Sequence, residues 1–177
     1  MSDETAPAIR KWCTAGERGD AEAAVACASP DVVLISPLTD QFRFTGRDAL
    51  CGLLDSAFTV IQDICFHDVV GGGDTYALFY SASVGSRDLE EAQLIRLDAG
   101  GLINEVTLFI RPLPALTALM AGLGPALARR DRRPTLARFL SAATAPLAAM
   151  TRFGDKRIVP LAAPGHPAPG RRTDKSE

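Results

Sequence analysis

Few side chains in this 177-residue chain can do chemistry, and they are unevenly placed. There are two histidines, His67 and His166, and the second stands in a Gly/Pro-rich stretch, so no metal site is expected. The four cysteines, Cys13, Cys27, Cys51 and Cys65, have no C-x-x-C spacing and read as small apolar residues in a reducing compartment. Carboxylates remain. The run Leu89-Glu-Glu-Ala-Gln-Leu-Ile-Arg96 is strand-like, so if Gln93 faces inward then Glu91, Ile95 and Leu97 do too, while Ala92, Leu94 and Arg96 face away. A carboxyl enclosed by apolar walls has its charged form disfavoured, and its pKa climbs toward the range of a general acid or base. Glu91 is the candidate for that role; the competing reading places it at the open end of the sheet, solvated or paired with Arg87. Gly71-Gly-Gly-Asp74 has the composition of a phosphate cradle, but strands on both sides make it a hairpin turn. No motif implies a cofactor.

The elements that position these residues follow from periodicity. Ile9, Trp12, Cys13 and Gly16 predict an amphipathic helix over 6–18, ended by Gly19, and Asp20 is a plausible N-cap for a short helix over 21–28. Asp31 to Ser36, bounded by prolines, predicts a strand, Phe42 to Thr45 a second short one, and 48–58 a helix with Leu50, Leu53, Leu54, Ala57 and Phe58 on one face. Asp40 and Arg47 around that short strand read as a surface pair or a cap. The period then changes to two. Four long runs, 60–70, 75–86, 89–98 and 102–111, are separated by Gly/Asp turns and predict an antiparallel meander. The fold class is therefore α+β, with N-terminal helices on one face of a curved antiparallel sheet.

The order of elements, with Gly19-Asp20, Pro30-Asp31-Val-Val-Leu-Ile-Ser-Pro37, Phe44-Thr-Gly-Arg-Asp48 and Leu94-Ile-Arg-Leu-Asp-Ala-Gly-Gly-Leu-Ile103, resembles the nuclear transport factor 2-like superfamily over residues 6–111. That superfamily includes ketosteroid isomerase, scytalone dehydratase, limonene epoxide hydrolase and the SnoaL-like polyketide cyclases. The resemblance implies a cone-shaped cavity between the helices and the concave sheet face. In the isomerase branch a tyrosine, a carboxylate base and a protonated acid do the chemistry. Those places fall here on Trp12, Ser36 and Gln93, so the isomerase triad is absent. The aspartate-arginine-aspartate set of the epoxide hydrolases is absent too, with Arg96 expected outside the cavity.

What the resemblance leaves is a cavity lined by Trp12, Leu34, Ser36, Tyr80, Glu91, Gln93, Val106, Leu108 and Ile110, mostly apolar with a few polar groups, as small-molecule sites are. Each polar member has a plainer reading: Trp12 as core, Ser36 as a strand terminator, Tyr80 as a rim hydroxyl. Two functions compete on this lining. One is a cyclase-, isomerase- or dehydratase-type enzyme with Glu91 as acid or base and Tyr80 or Gln93 polarising a carbonyl. The other is a noncatalytic binding or interaction module, a homodimer joined where Phe79, Leu94 and Phe109 meet on the outer sheet face.

Charge divides the chain near Arg111. Residues 1–110 hold 7 Lys/Arg against 17 Asp/Glu, and residues 111–177 hold 12 against 4, so a net charge of -2 conceals an acidic domain (1–111) and a basic remainder. The remainder reads as a helical extension over 112–158, with helices over 113–130 and 135–152, and a Gly/Pro-rich tail over 159–177 expected to be disordered. Leu136, Phe139, Leu140, Ala143, Leu147 and Met150 form an apolar stripe that needs cover. Nucleic acid is not the expected partner, because no aromatic residues interleave the arginines and the rest of the protein is acidic. A membrane surface fits a basic amphipathic hairpin, but the preferred reading packs the stripe on the domain or on a second subunit. The opening residues lack a secretory signal, and a cytoplasmic location is expected.

Overall fold

The computed structural model describes residues 5–164. Its elements are α1 (Pro7–Arg18), α2 (Ala21–Val25), β1 (Ala28–Ile35), β2 (Phe44–Thr45), α3 (Arg47–Phe58), β3 (Ile61–Gly72), β4 (Thr75–Val84), β5 (Arg87–Leu97), β6 (Ile103–Arg111), α4 (Leu113–Arg130) and α5 (Pro134–Arg157), with a short 3-10 turn at Val159–Ala162. The α+β class and the helix-strand order match the sequence reading. Asp20 caps α2 as expected, its side chain accepting from the Ala23 N–H at 2.9 Å. The short helix ends at Val25 rather than 28, and Pro30 lies inside β1, which starts at Ala28 rather than Asp31. The expected disordered tail falls largely outside the described residues, and its first residues form the 3-10 turn.

One sheet runs β2-β1-β6-β5-β4-β3. The meander β3 to β6 is antiparallel, but β1 pairs with β6 in parallel, which corrects the all-antiparallel expectation. The crossover through α3 and the meander brings the chain back beside β1 in the same direction. Register shifts in β3, between Gln62 and Cys65 and between Phe66 and Asp68, insert extra residues and bend the strand. A further shift, between the pairs Arg96–Glu105 and Leu97–Ile103, leaves Asn104 as the extra residue and bends the start of β6. The glycine run closes a hairpin as expected, with Gly73 and Asp74 as the turn and Gly71 and Gly72 still paired in β3; Gly71 has φ 129°, and a Cβ there would clash with Thr75 O.

The concave face holds the core. Ile9, Trp12 and Cys13 of α1 and Leu50, Leu53 and Leu54 of α3 are buried against Leu34, Leu78, Ile95 and Val106 of the sheet. Burial pushes the Cys13 thiol up to about 12, with Glu17 adding to the effect, so this cysteine is an inert apolar residue. Arg47 is neither a cap nor a partner of Asp40. Its Nε donates to Ala28 O at 2.9 Å, while the Gly46 N–H donates to Val32 O at 2.8 Å, and together they tie the start of α3 to β1.

The extension divides into two roles. α4 packs on α3, β4, β5 and β6 and buries Ala115, Ala118, Leu119 and Leu123. Its seat is close because Gly122 presses on Val60, and Arg130 crosses Gly52 to reach Asp55 at 3.7 Å. α5 lies on the outside of α4, joined to it by the Thr117 and Thr151 hydroxyls at 2.6 Å. Of its residues only Ala137 is buried. The stripe expected to be covered is largely exposed within one chain, since the face α5 turns to α4 is the one carrying Ala137, Leu140 and Thr144. Among the described residues no helix is long and apolar enough to cross a membrane.

Candidate functional site

Four side chains from α1, β4 and β5 meet inside the cone. Trp12 projects from the buried face of α1, and its indole Nε1–H donates to Gln93 Oε1 at 2.8 Å. Gln93 Nε2 in turn donates to Glu91 Oε1 at 2.8 Å. Tyr80, directly opposite Glu91 in the β4–β5 ladder, gives the carboxylate a second hydrogen bond from its hydroxyl. All four are buried, Glu91 to 4 % exposure. Strand alternation explains the gathering: residues 80, 91 and 93 share the inner face, and α1 crosses above them.

The electrostatics follow from burial. Loss of solvent raises the Glu91 pKa from 4.5 to about 7, against the opposing pull of the hydrogen bonds from Gln93 and Tyr80, which favour the charged form. Burial, then the neighbouring carboxylate, raises the Tyr80 phenol well above its usual range, so it remains a neutral donor. Glu91 therefore changes protonation near neutrality. The solvated alternative does not hold, and no ion pair among the described residues joins Glu91 to Arg87.

These groups open onto an internal cavity of about 70 Å³. Of the expected lining, Trp12, Leu34, Ser36, Tyr80, Glu91, Gln93, Leu108 and Ile110 are present. Val106 is not: it is wholly buried between Leu34 and Ile95, in the filled base of the cone. Ser36 contacts the cavity, but its Oγ accepts from the Leu38 N–H at 3.2 Å, which is the strand-terminating role. Arg96 faces out and pairs with Glu105 at 3.3 Å.

Other wall residues came from outside the expected set. Phe58 and Phe66 contribute from α3 and β3, with the Phe66 ring 5.0 Å from that of Tyr80. Leu119 and Leu123 of α4 close the cavity. The Phe66 contribution depends on the bulges in β3, which local pattern does not display. Leu119 and Leu123 are spaced four apart and signalled a buried helix face, but not what it would bury against. Among the described residues no group of three or more His, Cys, Asp or Glu side chains is placed to hold a metal ion.

Residues 9–106, which form the helices and most of the sheet around this cavity, match the model of the SnoaL-like domain. The chain belongs to the SnoaL-like domain family. Its solved structural relatives agree. A protein conserved in bacteria with a cystatin-like fold, from Silicibacter pomeroyi DSS-3, is 28% identical with a TM-score of 0.66, over 78% of this chain and 93% of its own. A steroid delta-isomerase from Pseudomonas aeruginosa is 27% identical with a TM-score of 0.62, over 75% and 94%. The epoxide hydrolase/cyclase-like enzyme SalBIII, which acts in pyran ring formation in the polyether salinomycin, shares the fold at 16% identity and a TM-score of 0.51, over 59% and 88%. No curated protein matches the chain in sequence. The SnoaL-like match ends within β6, before α4.

Proposed function

We propose that this SnoaL-like domain binds a small apolar molecule carrying a carbonyl or hydroxyl oxygen and moves a proton on it, in the manner of an isomerase or cyclase. The observation that carries the reading is Glu91: a fully enclosed carboxyl, facing an apolar cavity, with its pKa near neutrality. The steroid delta-isomerase, 27% identical, lends the reaction class, and SalBIII shows that the fold also serves an enzyme of pyran ring formation.

The roles follow from hydrogen-bond capacity. Glu91 in its charged form takes a proton from the carbon next to the carbonyl, and the protonated acid returns it at a second carbon. Gln93 has two N–H donors, and one is spent on Glu91. The other is the donor available to the developing oxyanion. Tyr80 donates to Glu91 and sets its proton affinity, so it is a positioning residue here.

Size constrains the ligand. A dry cavity of about 150 Å³ admits benzene, and this one is about 70 Å³ with α4 seated. A ring therefore binds only if Leu119 and Leu123 yield. The test is native mass spectrometry of chain purified from its source, followed by turnover of the retained molecule by wild type and Glu91→Gln. A retained apolar compound turned over by wild type alone supports the proposal. Full activity of Glu91→Gln removes Glu91 from the chemistry and leaves a binding module.

The outer sheet face favours a homodimer as a separate reading. Phe79, Ala92 and Phe109 form one cross-strand row, with Phe109 56% exposed and Phe79 36%. Leu94 lies in the neighbouring row, and a two-fold axis through this patch would set it against its own copy.

A further inference from the structure

The outer face of α5 has no use in the cavity and no cover among the described residues. Phe139, Ala143, Pro146, Met150 and Phe153 recur at spacings of four and three, so they form one stripe roughly 21 Å long at the helical rise of 1.5 Å per residue. Phe139, Met150 and Phe153 are 68%, 70% and 62% exposed. Three large side chains in one line are more than the scattered apolar residues of an ordinary surface. On the same helical geometry Arg138, Arg152 and Lys156 project along one flank, and Arg157 extends the line at the C-terminal end. Among the described residues none of these four cations is in an ion pair.

Charge selects the occupant. Residues 112–158 hold eight Lys/Arg against two Asp, a net +6. Antiparallel pairing of α5 with α5 of a second copy sets the Arg138 end of one helix against the Lys156–Arg157 end of the other and so brings like charges together. Residues 165–177 contain no Leu, Ile, Val, Met or aromatic residue with which to cover the stripe. Most of the acidic groups lie in 1–110, and of these Asp88 and Glu90 share a groove with Arg152 and Lys156 without an ion pair to either. The geometry points to an anionic lipid surface as the partner of α5. The helix lies in the plane of the interface, with Phe139, Met150 and Phe153 at the acyl boundary and the flanking guanidinium and ammonium groups on lipid phosphates. α5 does not cross the bilayer, and α4 remains on the domain.

The test is flotation of the full chain with vesicles of phosphatidylcholine alone or with added phosphatidylserine. The chain floats with the phosphatidylserine vesicles, less so as salt rises, and stays behind with phosphatidylcholine. Substituting Arg138→Gln, Arg152→Gln, Lys156→Gln and Arg157→Gln together lowers partitioning by roughly a hundred-fold or more. Substituting Phe139→Ser, Met150→Ser and Phe153→Ser together lowers it by at least roughly ten-fold, with circular dichroism unchanged because the three positions are exposed. Absence of flotation with phosphatidylserine vesicles overturns the assignment, as does flotation that neither set of substitutions reduces. Sedimentation showing a dimer that the serine set dissociates also overturns it, in favour of a second copy on this face.

Discussion

The indole N–H of Trp12 sits 2.8 Å from Gln93 Oε1, and this contact decides how Gln93 presents itself to Glu91. Indole is a donor only, so the amide oxygen must face Trp12 and the amide nitrogen must face the carboxyl. A residue on α1 thereby makes Glu91 the acceptor in its contact with β5, and helps keep its pKa from rising further.

Replacing Trp12 with Phe keeps most of the apolar volume and deletes the donor. Gln93 Oε1 is then buried without a partner, which costs about 1–3 kcal/mol and shows as a lower midpoint in urea unfolding. The amide is also free to turn, weakening its bond to Glu91. The Glu91 pKa then moves above about 7, read from the carboxyl carbonyl stretch in infrared spectra across pH. An unchanged titration rejects the positioning role of Trp12.

Glu91 couples the site to stability. In the folded chain it titrates near 7, whereas an unfolded glutamate titrates near 4.5. Between these values the folded state holds a proton that the unfolded state has released, so stability falls as pH rises through the window and levels off above it. The size is on the order of 3 kcal/mol, at about 1.4 kcal/mol per pKa unit. Glu91→Gln removes this slope, and denaturant melts at a series of pH values from acid to neutral measure it. Equal slopes in the two proteins mean that Glu91 is not protonated in the folded state.

How much of this was legible beforehand depended on range. Alternation put Glu91 and Gln93 inward and Arg96 outward, because a period of two is a property of the strand alone. Val106 shows the limit of that rule: it faces inward, but at the filled base between Leu34 and Ile95, and depth along the cone is not encoded in parity. The parallel pairing of β1 with β6 and the bulges of β3 depend on partners far along the chain. For α5 the apolar stripe was evident, yet periodicity does not say which of two apolar faces meets α4.

If the outer sheet face joins two copies, Phe109 stands at its centre beside Ala92 and Phe79. A charge there is unpaired when buried, so Phe109→Glu converts the dimer to a monomer in sedimentation velocity over a range of concentrations. The exposed position leaves the unfolding midpoint of the monomer unchanged. Identical sedimentation of wild type and variant rejects this interface.

Gly122 seats α4. A Cβ there would stand 2.6 Å from Val60 Cγ1, and valine is stiff about χ1, so the helix must shift. An exposed helical glycine changed to alanine gains about 1 kcal/mol, but here Gly122→Ala lowers stability by about 1–3 kcal/mol through overpacking. Val60→Ala in the same chain restores part of it, a coupling that a double-mutant cycle reads directly. A stabilised Gly122→Ala single variant means that α4 is not pressed against Val60.

The same helix governs what the cavity can hold. Leu119 and Leu123 form its α4 wall, and both are nearly fully buried, so Leu123→Ala costs about 2–5 kcal/mol and leaves added space beside Glu91 and Gln93. Wild type, with about 70 Å³, takes up a ring compound only by displacing α4, whereas Leu123→Ala accepts it with the helix in place. Ligand that binds the folded state alone raises the melting temperature with concentration. A cyclic ketone such as cyclohexanone therefore raises the melting temperature of Leu123→Ala at lower concentration than that of wild type. Equal ligand response in the two proteins shows that α4 is no barrier, and the size limit placed on the substrate then falls with it.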